Sequence, residues 1–180
     1  MTSTQEHSTA KSGGRNAATV LQQFQSGALP AAVTFAGNGT PWLSELQSIV
    51  ADCPQAWPVI EAISDRLEQF AADQQVRWAG GCPQPFDLAG WVRATQSAPD
   101  AHVQLSSAVS QPAIFAAQIA RWVQLEQMGL TLESLASGVQ CASGYSQGIM
   151  TAAWLSEACG RGRFDLERVA DFAEYLAWQG

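Results

Sequence analysis

The sequence predicts an α/β fold, with a parallel sheet flanked by helices, and three observations carry that prediction. Two short apolar runs, Ala31 to Ala36 and Leu135 to Ala142, each lead into a glycine-bearing turn, the pattern of buried strands in a parallel sheet. Between and after them, apolar residues recur every three or four positions over long segments, which marks amphipathic helices. Strands alternating with helices build layered domains whose sites lie at the carboxyl ends of the strands.

Taken in order, Ala17 to Ser26 reads as a short helix and Ala31 to Ala36 as the first strand. Gly37-Asn38-Gly39-Thr40 turns the chain, and Pro41 suits the first turn of a helix carrying Trp42, Leu43, Leu46, Ile49 and Val50 on one face. From Trp57 to Phe70 a second helix presents Ile60, Ile63, Leu67 and Phe70, before Gly80 to Pro85 forces a loop. Asp87 caps a short helix. A long central helix starts at Ser110, just ahead of Pro112, buries Ile114, Phe115, Ile119, Trp122, Val123 and Leu125, and stops at Gly129. A turn opened by Thr131 leads into the second strand, a helix follows from Ile149 through Leu155, and the last helix runs from Asp165 to Trp178.

With 180 residues, 47% of them hydrophobic, the chain is long enough for one domain with a sizeable core. A net charge of −7 and only nine basic residues exclude nucleic acid as the main partner, because phosphate contacts need clustered Lys and Arg. Cys53, Cys82, Cys141 and Cys159 are widely spaced, with no C-x-x-C pair or neighbouring histidine, so reduced cytoplasmic thiols are expected rather than a metal or redox site. Residues 1–18 read as a polar, flexible tail without the apolar core of an export signal. The uncharged stretch from Ser134 to Ser156 approaches membrane-spanning length, but its Gly, Ser and Gln content reads as buried strand and helix, so no membrane partner is expected. Trp42, Trp122, Trp154 and Trp178 read as packing residues. Asp165, Glu167, Asp171 and Glu174, interleaved with Arg163 and Arg168, read as a solvated helix face, and no metal is expected.

The chemistry concentrates at Gly144-Tyr145-Ser146-Gln147-Gly148. Glycines two positions either side of a serine permit the sharp strand-to-helix turn that exposes a nucleophile, and the amide of Gln147 is then the natural donor to a developing oxyanion. The same residues also fit a Gly/Ser-rich turn that merely opens a core helix. A phosphate-binding loop fits less well, since neither glycine cluster supplies the required spacing or lysine.

Three blocks together resemble the acyltransferase domain at the start of type I fatty acid synthases of the actinobacterial and fungal kind. Phe35 to Leu46 is similar to the opening strand–turn–helix F-x-G-Q-G, Leu105 to Pro112 to the entry of its central helix, and Gly144 to Ile149 to G-H-S-Q-G-[IV]. The resemblance implies that residues 19–180 are the N-terminal portion of a malonyl/acetyl-transacylase-like domain with an α/β-hydrolase-type core, incomplete at its C-terminus. It implies that Ser146 attacks the thioester of acyl-coenzyme A and passes the acyl group to the phosphopantetheine of an acyl carrier domain, no cofactor being held by the segment itself. Gly37, Asn38, Gly39, Thr40 and Tyr145 are the substrate-binding positions so implied. An N-terminal place in such synthases belongs to acetyl loading. The implied partners are the rest of the synthase polypeptide, the carrier domain and a large homo-oligomer, in the cytoplasm.

Four departures from the pattern stand out. Tyr145 replaces the usual histidine, and Asn38 the usual glutamine. Pro41 has no amide where relatives donate the second oxyanion bond, a loss on the order of 3 kcal/mol in the transition state unless another amide, such as that of Trp42, substitutes. No histidine follows Ser146: His7 lies in the tail and His102 in an expected loop, so the general base is expected outside this chain, which alone should be inactive. Two alternatives stay open, a serine hydrolase of the α/β type and a noncatalytic interface segment of the synthase.

Overall fold

The computed structural model describes residues 17–26, 28–73, 82–83 and 85–180. The expected tail through residue 16, His7 and half of the Gly80–Pro85 loop lie outside them. Helix α1 (Ala17–Gln25) leads to strand β1 (Ala31–Phe35), then α2 (Trp42–Asp52), a short 3₁₀ turn and α3 (Trp57–Ala72). After these come α4 (Leu88–Arg93), α5 (Ala101–Leu105), α6 (Ser107–Gln127) and α7 (Leu132–Gly138). Strand β2 (Val139–Gly144), α8 (Gly148–Arg161) and α9 (Leu166–Gln179) complete the described chain. The fold is α/β, mostly helical, with one two-stranded parallel sheet among the described residues. None of the described helices is long and apolar enough to cross a membrane.

Helical spacing explains the main body. On α2 the buried positions are Trp42, Leu46 and Ile49, and on α3 they include Ile60, Ile63, Leu67 and Phe70. Both stripes meet α6, whose Val109, Ile114 and Phe115 are fully buried, and α9 closes the body against α3 and α6. Phe115 packs edge-on against Trp154 of α8 and beside Phe172 of α9, so one ring ties three helices. A second, smaller cluster of Phe24, Trp122, Leu132, Leu135 and Leu155 sits under the inner face of the sheet, with Ala31, Val33, Phe35 and Val139 packed onto it.

Several boundaries differ from the sequence expectation, each for a physical reason. The central helix begins at Ser107, a turn before Ser110, and holds Pro112 inside it. Val109 extends the buried stripe upstream, and its burial outweighs the one backbone bond that proline removes. The run from Leu135 is helix before it is strand. Thr131 caps α7 by accepting the amide of Ser134 at 3.2 Å, and Leu132 and Leu135 share one helical face against Phe24. Strand β2 therefore starts only at Val139, and its residues from Gln140 to Ser143 are exposed rather than buried, because among the described residues β1 is its only strand neighbour and α8 covers one side. His102 lies on α5, capped by Asp100, and not in a loop. Trp42, Trp122 and Trp154 are buried, whereas Trp178 is 55% exposed and only edges against Phe70. Nor is the acidic face of α9 simply solvated: Asp165 caps the helix, and Asp171 and Glu174 pair with Arg66 of α3.

Phe115→Ala should lower unfolding stability by about 3–5 kcal/mol, read from chemical denaturation, because it empties the point where three helices meet. Leu105→Ala, at a position 70% exposed, should change it by no more than about 0.5 kcal/mol.

Candidate functional site

The site grows from the register of the sheet. Phe35 lies opposite Gly144, and the amide of Tyr145 donates to the Phe35 carbonyl at 3.1 Å, so both parallel strands end at one level. The turn after β1 is closed by Thr40, whose hydroxyl donates to the Gly37 carbonyl at 2.8 Å. It lies directly against the turn after β2. A Cβ on Gly37 would sit 2.3 Å from the Tyr145 carbonyl oxygen and 3.1 Å from Cβ of Ser146. A Cβ on Gly144 would sit 2.0 Å from the carbonyl carbon of Gly148. Both glycines are therefore demanded by backbone crowding around Ser146, not by turn preference in general.

Ser146 itself is exposed and has φ of 53°, in the left-handed region that residues with a Cβ avoid. Holding it there costs on the order of 1–3 kcal/mol, which the surrounding packing must supply. Helix α8 then opens through Gly148 donating to Tyr145 and Ile149 to Ser146, at 2.9 and 3.0 Å. The amide of Gln147 donates to no acceptor among the described residues, so it stands as a free donor at the positive end of α8, next to the Ser146 hydroxyl in the chain. On the other turn, Pro41 adopts φ −74° and ψ 66°, an inverse γ-turn in which Trp42 donates its amide to the Thr40 carbonyl at 2.8 Å. Trp42 is thus already engaged and does not substitute for the missing Pro41 donor.

A chain of side-chain hydrogen bonds lies behind these turns. The Gln118 amide donates to the Ala36 carbonyl at 2.7 Å, the Thr151 hydroxyl donates to Gln118 Oε1 at 2.5 Å, and Gln147 Nε2 donates to Thr151 Oγ1 at 3.3 Å. Sequence reading named Gln147 for its backbone and missed Gln118 and Thr151. Their only signal is polarity at positions where the α6 and α8 stripes call for apolar residues.

Around the mouth, Tyr145 and Ile149 are exposed, at 78% and 57%. Asn38 and Gly39 are exposed and Thr40 half-buried. A cleft of about 440 Å³ runs from Gly39 and Thr40 past Pro41 and Trp42 to Gln104 and Leu105. The Trp42 indole donates to the Gln104 carbonyl at 3.3 Å and holds α5 against α2 there. His102, on the same helix, is exposed and makes no hydrogen bond with Ser146. The cysteines stand apart from this arrangement. All four are free, and burial pushes the Cys82 thiol up to about 11 and that of Cys159 upward, which keeps both protonated and unreactive at neutral pH.

No family model matches the sequence. The chain is 27% identical over 154 residues to the fatty acid synthase beta subunit TOXC of Cochliobolus carbonum, a match covering 83% of this chain and 7% of that protein. The similarity is to a fatty acid synthase subunit, and the chain spans a small part of that protein's length.

The strained serine gives a stability signature. Ser146→Gly should be more stable than Ser146→Ala by about 1 kcal/mol, because glycine occupies φ of 53° without cost while alanine keeps the strain. Paired thermal melts of the two variants measure it, and equal stabilities would remove the strain from the argument.

Proposed function

We propose that this chain is a segment of the acetyl-loading acyltransferase of a multifunctional fatty acid synthase. The observation that carries the reading is Ser146, exposed and strained between two parallel strand ends, beside the free amide of Gln147. Similarity to a synthase beta subunit supports the acyl-transfer class over ester hydrolysis. Ser146 attacks the thioester carbonyl of acyl-coenzyme A, the carbonyl oxygen takes up negative charge toward the Gln147 amide, and coenzyme A leaves as its thiol. The ester on Ser146 is then taken by the phosphopantetheine thiol of the carrier domain. Gly37, Asn38, Gly39, Thr40 and Tyr145 border the acyl group and its donor, and the remaining synthase polypeptide, assembled as a large cytoplasmic homo-oligomer, supplies the base.

A second reading, a noncatalytic interface segment, is favoured by one observation: Pro41 has no amide and Trp42 has spent its own, so the turn after β1 lacks the usual second donor at both positions. Intact-mass labelling of the full synthase polypeptide with acetyl-, malonyl- and palmitoyl-coenzyme A separates the two. Acetyl addition that disappears in Ser146→Ala is the expected result, and absence of label from every donor would leave the interface reading.

A further inference from the structure

The hydrogen bonds behind the two turns have a fixed direction. The Ala36 carbonyl can only accept, so the amide nitrogen of Gln118 must face it. That orientation leaves Gln118 Oε1 as an acceptor, which takes the single hydroxyl proton of Thr151. Thr151 can then only accept from Gln147, which turns the Gln147 amide nitrogen inward and leaves its Oε1 buried without a partner. Gln147 and Thr151 are 5% and 0% exposed, so the bond between them is shielded from water, while the Gln118 end of the chain reaches toward the surface. The chain joins the end of β1, the middle of α6 and the first turn of α8. Ser146, at its unfavourable φ, sits between the first and the last of these, against Gly37 and directly ahead of α8, and α6 links the two from behind.

We propose that Gln118 and Thr151 are positioning residues for Ser146, acting through Gln147 to hold the serine in its left-handed conformation and the Gln147 amide turned toward its side chain. The inference rests on Ser146 being the reactive group proposed above. Neither residue touches the acyl group. Without the chain, the peptide between Ser146 and Gln147 is free to rotate toward a relaxed geometry, and the donor turns away from the nucleophile.

The test replaces the hydroxyl with a thiol, Ser146→Cys, in the whole chain and follows iodoacetamide alkylation at that position against pH, with peptide mapping to separate it from the four native cysteines. Adding Thr151→Val should slow alkylation at neutral pH by about tenfold and move the midpoint of the profile upward, because the thiolate loses its aligned donor. Thr151→Ser, which keeps the hydroxyl, should restore both. Gln118→Met should repeat the loss, and it carries the test if Thr151→Val does not give a cooperative melt. A folded Thr151→Val or Gln118→Met protein with an unchanged profile would overturn the proposal. Failure of the functional reading looks different: no acyl label on Ser146 from any donor, while the thiol profile still depends on Thr151. Acyl labelling of Ser146 that proceeds at full rate in Thr151→Val would sink this inference alone.

Discussion

The site depends on the parallel pairing of β1 with β2, and in particular on the bond from the Tyr145 amide to the Phe35 carbonyl at the last rung. That bond sets the two strand ends level. Levelness brings Gly37 under Ser146, and the crowding there admits no side chain on Gly37 or Gly144. A one-residue slip would carry Ser146 away from the turn after β1 and exchange the faces of the strand. The 3.1 Å contact between the hydroxyls of Thr34 and Ser143 adds a second pin on the outer face.

Two strands alone do not hold a register, and here helices do most of that work. The inner face of the sheet rests on Phe24, Leu132, Leu135 and Leu155, from three helices. Behind it, the body formed by α2, α3, α6 and α9 is apolar almost throughout, and α6 reaches from that body to the strand end through Gln118. Rigid packing and a directional polar chain thus converge on one strained residue. The left-handed serine is tolerated because the elements around it are fixed independently of it.

Much of this was legible in the sequence, and the illegible parts share a cause. Stripes such as Ile60, Ile63, Leu67 and Phe70 announce their helix because burial enforces the 3.6-residue period. The glycine-flanked serine announces a tight turn, since the glycines answer a local steric demand. Pro112 misled for the complementary reason: it is a local breaker tolerated by long-range packing, inside a largely buried stretch of α6, and the run from Leu135 misled because an apolar segment alone does not separate a short helix from a strand. The link between Gln118 and Thr151 spans 33 residues and carries no periodic signal, so only the folded arrangement reveals it. The exposure of β2 was equally hidden, because an apolar run does not state how many neighbours a strand will have.

The long separation of the paired strands also bears on where the site's geometry comes from. Thr34 and Ser143 stand 109 residues apart, and α3 meets α9 across a comparable length of chain. Closing so large a loop is entropically unfavourable, so the pairing that shapes the site is among the long-range contacts that local chain preference alone does not bring about. The strained serine is then a product of tertiary closure and not of local sequence. Glycines alone do not create the reactive geometry: the hydroxyl of Ser146 acquires its setting only when the last rung closes.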